Sequence, residues 1–178
     1  MDAFDVLGLA PTFDLDSKVL EQRYRDLQRA LHPDKFAQAS ASERRASLSR
    51  AVSVNEAYRA LRDQLKRAEV LFVRLGGELA EGAGQPADPA LLMEVMELRE
   101  QLSDTKQSGD VAARERLTSE VRDLNHQSLD ALRSALGALQ GGDDQARQVA
   151  ARALSRLRYY RRFLDEVAVL EDAHDSLD

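Results

Sequence analysis

The 178-residue chain contains no cysteine and no tryptophan, and it has only 4 prolines and 9 glycines. The absence of cysteine excludes disulfide bonds, thiolate catalysis and cysteine-ligated metal centres. No apolar run approaches the ~18 residues that span a membrane, and the N-terminus lacks the basic and apolar regions of a signal peptide. We therefore expect a cytoplasmic protein that has no metal, cofactor or membrane partner of its own.

Positive charge is also in deficit, because 25 Lys and Arg stand against 31 Asp and Glu and give a net charge of −6. This balance disfavours a protein whose main role is to coat nucleic acid or anionic lipid. No run of β-branched residues indicates a sheet, whereas Ala, Leu, Arg and Glu dominate. This composition is typical of an all-α protein. The 43% share of hydrophobic residues is enough to build a core.

Helix breakers gather between Gly76 and Pro89, where the hydrophobic periodicity of the chain stops. Clusters of Gly and Pro between periodic segments are typical of linkers. The sequence therefore predicts an N-terminal domain over residues 1–77, a linker over 78–88 and a C-terminal domain over 89–178.

The N-terminal domain has the pattern of a helical hairpin. A first helix runs from about Asp16 to Leu31 with one apolar stripe, and Pro33 ends it. A second helix begins at Ser40, which forms a capping box with Glu43, and we expect it to pair antiparallel with the first. A shorter helix follows and ends at Gly76-Gly77. The second helix runs through the apolar residues Leu48, Val52, Tyr58 and Leu61.

The C-terminal domain predicts three amphipathic helices with short connections, which make an antiparallel three-helix bundle. Asp88 and Pro89 supply an N-cap and a first turn for the first of them. Its core stripe is Leu91, Val95, Leu98 and Leu102. The expected core residues of the third helix are Val149, Ala150, Ala153, Leu157, Leu164 and Val167.

The connection between the two long N-terminal helices reads His32-Pro33-Asp34-Lys35. Pro followed by Asp is ordinary turn chemistry, but loops carry functional residues more often than cores do. A hydrolase or transferase built on His32 and Asp34 is disfavoured, since the pair lacks a nucleophile and an enclosing pocket.

A basic row lies on the first long helix, opposite its apolar stripe. Lys18, Gln22, Arg25 and Arg29 share this face, and the row ends beside His32. Solvated helix faces usually alternate acids and bases, and this row contains no acid. A nucleic-acid-binding helix using the three basic residues is one alternative, and steep salt dependence would identify it.

A helical hairpin with a basic first helix, a His-Pro-Asp loop and a Lys35-Phe36 continuation resembles a J-domain. A three-helix domain follows directly, without a Gly/Phe-rich or Cys-rich module, and nearly the whole chain is similar to HscB-type co-chaperones of iron–sulfur cluster assembly. Besides the loop, the similar segments are Phe4-Asp5-Val6-Leu7-Gly8-Leu9, Leu27-Gln28-Arg29, Lys66-Arg67-Ala68-Glu69, Leu91-Leu92-Met93-Glu94 and Glu97-Leu98-Arg99-Glu100.

The resemblance implies that the J-domain stimulates ATP hydrolysis by a DnaK-type (HscA-like) chaperone. The triplet His32, Pro33 and Asp34 would press against the chaperone, and the basic row would steer the docking electrostatically. The chaperone-binding residues are then His32, Pro33, Asp34, Lys18, Arg25, Arg29 and Lys35.

The helix that begins near Pro89 carries more apolar residues than one core stripe can use. Leu92, Met93 and Met96 point roughly 100° to 200° away from that stripe, so we expect them to be partly exposed. Glu97, Glu100 and Asp104 lie beside them. An apolar centre with adaptable Met and an acidic rim is typical of a surface for a basic partner. Packing against the N-terminal domain or another chain is the alternative.

The resemblance implies that this surface holds an iron–sulfur cluster scaffold protein (IscU-like). The segment Arg156-Leu157-Arg158-Tyr159 is similar to the family's Lys-Leu-Arg-Phe, and we expect Tyr159 to lie well off the core stripe. The scaffold-binding residues are then Leu92, Met93, Met96, Glu97, Glu100, Asp104 and Tyr159. The expected protein is a non-enzymatic adaptor, and the alternative is a J-domain co-chaperone for a different client.

Overall fold

The computed structural model of the protein describes residues 1–79 and 88–175, with side chains described through residue 170. It divides into two compact units, Met1–Gly77 and Glu78–Asp178. Most of the predicted linker, residues 80–87, lies outside the described residues. The described part contains helices and no strand, which confirms the all-α prediction.

The N-terminal unit consists of four α-helices and one short 3-10 helix. Helix α1 spans Ala3–Leu7, α2 Ser17–Ala30, α3 Ala41–Arg62 and α4 Gln64–Arg74, and the 3-10 helix covers Pro33–Phe36. The predicted helices are therefore present, and the apolar N-terminal segment adds the short helix α1.

Helix α3 begins where the capping box predicts. The Ser40 hydroxyl accepts a hydrogen bond from the Glu43 N–H at 3.3 Å, and the Glu43 carboxylate accepts one from the Ser40 N–H at 2.8 Å. Tyr24 stacks on Tyr58 with ring centroids 4.1 Å apart, and the Ser47 hydroxyl donates to the Leu31 carbonyl at 3.4 Å. Because positions late in α2 meet positions early in α3, the two helices run antiparallel, as expected.

The buried face of α3 differs from the apolar pattern of its sequence. Leu48 and Val52 are exposed, whereas Ser47, Val54 and Leu61 are buried. The three buried residues are spaced by seven, which places them on nearly one line of the helix. Small side chains such as Ser47 let neighbouring helices approach closely, so the buried face of α3 includes a polar residue while two larger apolar residues beside it stay exposed.

The C-terminal unit is the predicted three-helix bundle. Helix α5 spans Pro89–Ser108, α6 Val111–Gln140 and α7 Ala146–Asp175. Short connections make successive helices antiparallel, so α5 and α7 run in the same direction. At 1.5 Å per residue, α5 is about 30 Å long and the other two are about 45 Å, so α5 covers only part of the α6–α7 hairpin.

The bundle core is more aromatic than the sequence pattern indicates. One buried cluster comprises Leu98, Leu102, Leu117, Val121, Tyr160, Phe163 and Val167. The expectation that Val149 is a core residue is wrong, because its side chain is exposed. Tyr160 and Phe163, which the apolar pattern does not predict as core residues, are buried in this cluster. They were missed because they lie in a run with four arginines, which resembles a solvated face.

Replacement of Gly77 and of Gly137 with alanine should change the free energy of unfolding in opposite directions. A Cβ at Gly77 would lie 2.4 Å from the buried ring of Phe72, so Gly77→Ala should destabilise the N-terminal unit by about 1–3 kcal/mol. Gly137 lies within α6 with no atom near its missing Cβ, so Gly137→Ala should stabilise the bundle by about 0.5–1 kcal/mol. Urea unfolding followed by circular dichroism measures both. Equal effects of the two substitutions would contradict the packing described for Phe72.

Candidate functional site

The first candidate surface is the His-Pro-Asp loop, residues His32, Pro33 and Asp34, which opens the 3-10 helix. His32 is the N-cap: its Nδ1 accepts a hydrogen bond from the Asp34 N–H at 3.3 Å. Pro33 occupies the first helical position, and the Lys35 N–H donates to the His32 carbonyl at 3.0 Å. The triplet is therefore a defined turn in which a backbone N–H holds the His32 ring.

The loop side chains are open to water. The His32 and Asp34 side chains are 59% and 89% exposed, and the His32 Nδ1 lies 3.4 Å from the Asp34 carboxylate. Lys35 is also exposed. Catalytic acid–base pairs act in water-excluded surroundings where electrostatic effects are strong. An exposed, locally ordered triplet instead suits recognition by a partner.

Polar contacts join α2 to α3 at positions of α2 that precede the loop. The Asn55 side-chain oxygen accepts hydrogen bonds from the Tyr24 hydroxyl at 2.9 Å and from the Gln28 amide at 2.5 Å. One α3 side chain thus fastens two positions of α2 that precede the loop. This role of Asn55 is not predictable from the sequence, because it depends on the register between the two helices.

The basic row on α2 is more neutralised than its sequence indicates. Arg25 pairs with Glu21, and Arg29 pairs with Asp26 at 2.5 Å. Hydrogen bonds from Gln22 and Arg29 lower the pKa of Asp26 below its usual value. Glu21 and Asp26 lie on the helix faces that flank the row. The composition of the row alone therefore does not reveal these pairs. Exposed ion pairs of this kind contribute little to the stability of the fold. A carboxylate of a partner can therefore replace Glu21 or Asp26 with little loss of free energy.

The second candidate surface lies on α5. We call Leu92, Met93 and Met96 the Leu-Met patch; their side chains are 52%, 64% and 63% exposed, which confirms the predicted exposure. We call Glu97, Glu100 and Asp104 the acidic row; all three are exposed and continue the same face toward the end of the helix. None of the three forms an ion pair within the described part of the chain.

The opposite face of α5 is fastened to α7. The Glu94 carboxylate accepts a short hydrogen bond from the Tyr160 hydroxyl and lies 3.5 Å from the Arg156 guanidinium. Further along, Lys106 pairs with Glu166 at 2.8 Å. Glu94 has no distinguishing signal in the sequence, because the same helix carries three other acidic residues, Glu97, Glu100 and Asp104. These contacts fasten α5 to α7 near both ends of α5 and leave the Leu-Met patch on its exposed face.

The sequence predicts that Tyr159 lies well off the core stripe, and this prediction is wrong. Its ring is partly buried against the core cluster and lies 6.2 Å from that of Phe163, and its hydroxyl donates to the Val95 carbonyl at 3.2 Å. Burial raises the pKa of Tyr159 above its usual value. Tyr159 therefore meets α5 beside the Leu-Met patch, where it supports the helix more than it offers a free contact.

The Tyr160–Glu94 contact predicts a stability effect. Burial raises the pKa of Tyr160 well above its usual value of about 10, and the hydrogen bond to the Glu94 carboxylate adds a smaller increase. Tyr160→Phe leaves Glu94 without this donor, so the free energy of unfolding should fall by about 1–3 kcal/mol at neutral pH.

The same contact sets a pH dependence. Above about pH 10 the unfolded chain loses the tyrosine proton while the folded chain keeps it, so wild-type stability falls as pH rises. Urea unfolding at pH 7 and at about pH 11 should therefore show a smaller alkaline loss for Tyr160→Phe than for wild type. Equal alkaline losses would contradict the assignment.

Two family models match the chain and together cover most of it. The DnaJ domain matches residues 2–70, and the HSCB C-terminal oligomerisation domain matches residues 87–168. No helix within residues 1–79 and 88–175 has the length and apolar character needed to cross a membrane.

Curated relatives match the chain from end to end. It is 37% identical over 174 residues to the co-chaperone protein HscB homolog of Shewanella oneidensis, with 97% of this chain and 98% of the relative covered. The homolog of Vibrio atlanticus is 35% identical over 173 residues, with 97% and 98% covered.

Solved structures give the same result. Chaperone HscB from Vibrio cholerae superposes with a TM-score of 0.81 at 33% identity and covers 97% of this chain and 99% of its own. The human co-chaperone protein HscB superposes with a TM-score of 0.83 at 27% identity and covers 96% and 82%.

Proposed function

The chain belongs to the HscB family of J-domain co-chaperones, and we propose that it acts as an adaptor in iron–sulfur cluster assembly. Its J-domain would stimulate ATP hydrolysis by a DnaK-type (HscA-like) chaperone, and its C-terminal bundle would deliver an iron–sulfur cluster scaffold protein (IscU-like). The observation that carries the proposal is the presence of two exposed surfaces, one on each compact unit.

We assign chaperone binding to the His-Pro-Asp loop with Lys35 and the basic residues of α2. The loop is a preformed turn, so little conformational entropy is lost when a partner docks on it. Arg25 and Arg29 would exchange their intrahelical acids for carboxylates of the chaperone, and Lys18 would add to the attraction. His32 and Asp34 have a docking role in this account and perform no catalysis, because the bound nucleotide belongs to the chaperone.

We assign scaffold binding to the Leu-Met patch, the acidic row and the edge of Tyr159. Adaptable methionines beside leucine suit the apolar centre of an interface. The three unpaired carboxylates of the acidic row favour a partner with a basic surface and speed its association. Glu94, Arg156 and Tyr160 act as positioning residues, since they hold α5 from behind.

The adaptor role follows from having both surfaces on one chain. We propose that the functional domains are residues 1–77 and 89–178, joined by a linker over 78–88. The compact units Met1–Gly77 and Glu78–Asp178 support this division. A short tether raises the concentration of scaffold near the chaperone to roughly the millimolar range, provided that both surfaces can be engaged together.

The second candidate is a J-domain co-chaperone with a different client. The two surfaces lie on different compact units, so a bundle that binds another client is compatible with the same loop. This arrangement favours the second candidate as the alternative. Two measurements with the full chain test the choice: the steady-state ATPase rate of the chaperone, and the binding of scaffold protein by calorimetry. We expect stimulation and binding. Stimulation without binding would replace the proposed client, and absence of stimulation would contradict the J-domain assignment.

A further inference from the structure

The sulfur atoms of the chain are concentrated in one place. The sequence has no cysteine and 3 methionines, which are Met1, Met93 and Met96. Apart from Met1 at the chain start, every sulfur atom therefore lies in the Leu-Met patch. The side chains of Met93 and Met96 are 64% and 63% exposed, so dissolved oxidants reach both.

Exposed thioethers react directly with peroxides. The sulfur attacks one peroxide oxygen, the O–O bond breaks and an S–O bond forms. The sulfur loses two electrons and becomes a sulfoxide, and the peroxide is reduced to water. Met93 and Met96 are three residues apart on α5, so both new S–O dipoles would appear on one helix face, next to Leu92.

We propose that Met93 and Met96 form an oxidation site through which peroxide switches off docking of the scaffold protein. The inference rests on the proposed function of the Leu-Met patch. A sulfoxide is polar, and a buried polar group without a partner is costly, so oxidation should raise the dissociation constant roughly tenfold or more. Methionine sulfoxide reductases reverse the modification, which makes it a switch rather than damage.

The switch acts on only one of the two surfaces. The His-Pro-Asp loop and the basic row contain no thioether, and they belong to the other compact unit. An oxidised chain would therefore still stimulate the chaperone alone but would not bring scaffold to it. Oxidation thus uncouples client delivery from ATP hydrolysis.

The test uses the full chain treated with hydrogen peroxide until peptide mass mapping shows one added oxygen on Met93 and on Met96. The peroxide is removed before scaffold is added, and calorimetry gives the dissociation constant before oxidation, after oxidation and after reductase treatment. The control is Met93→Leu with Met96→Leu, which keeps Met1 and has no thioether in the patch. The quantity compared is each protein's ratio of oxidised to untreated dissociation constant.

We expect a ratio of roughly ten or more for wild type, its return to one after reductase treatment, and a ratio of one for the control. A fully oxidised wild type with unchanged affinity would overturn the inference, and so would an equal loss in the control. The reductase arm uses wild type alone, so it does not depend on the affinity of the control. An untreated chain that does not bind scaffold would refute the proposed function itself, and the switch with it.

Discussion

Replacing His32 with glutamine returns the ATPase rate of the chaperone to its unstimulated value. His32 caps the turn through its Nδ1 and exposes more than half of its side chain at the tip of the loop. Glutamine is flexible and presents no ring, so the turn loses its cap and the interface loses a preordered contact. Loss of a central contact of this kind costs about 2 kcal/mol or more of binding energy.

The matched control is His126→Gln. His126 is likewise exposed, but it lies in the middle of α6. We expect this variant to stimulate the chaperone like wild type, and both variants to keep wild-type helicity by circular dichroism. Loss of scaffold binding in His32→Gln, or full stimulation by it, would contradict the division of roles between the two units.

Replacing Leu92, Met93 and Met96 together with alanine weakens scaffold binding. Each large side chain that anchors a partner contributes about 2 kcal/mol or more, so the triple variant should lose detectable affinity in calorimetry. The three side chains are mostly exposed, and alanine favours helix, so the bundle should remain as stable as wild type.

The control for this variant removes exposed apolar groups elsewhere on the bundle. Val149 and Val169 are exposed on α7, and their joint replacement with alanine should leave scaffold affinity unchanged. If the triple variant melted at lower temperature but bound scaffold normally, the Leu-Met patch would be part of the core rather than an interface.

Local chemistry made much of the fold predictable. The capping box of Ser40 and Glu43 and the pair Asp88-Pro89 mark helix starts through contacts with their nearest neighbours, and both starts are confirmed. The exposure of Met93 was predictable for a similar reason. Helix geometry alone shows that one core cannot receive two apolar stripes from the same helix.

Features that depend on other helices were less predictable. Leu48 looked like a core residue because it is apolar, but the neighbouring helices pack against the face of Ser47 instead. Tyr159 and Glu94 acquire their positions from contacts between α5 and α7. Such contacts depend on the register between helices, which a periodic pattern within one helix does not define.

The pairing of Arg25 with Glu21 shows a third limit. A row of like charges along one face suggests free charge, but long side chains reach acids on the adjacent face. The i, i+4 spacing of Glu21 and Arg25 is visible in the sequence and is sufficient to predict their pairing. We therefore propose that the basic row contributes to chaperone docking by exchanging its intrahelical acids for carboxylates of the partner rather than through unpaired charge.

We propose that one chain couples the scaffold protein to the ATPase cycle of the chaperone. The most direct test of this coupling is the steady-state ATPase rate of the chaperone with the chain alone, with scaffold alone and with both. We expect the rate with both to exceed the sum of the two separate stimulations, and we expect His32→Gln and the triple alanine variant each to abolish this excess. A rate with both that equals the sum would contradict the adaptor mechanism.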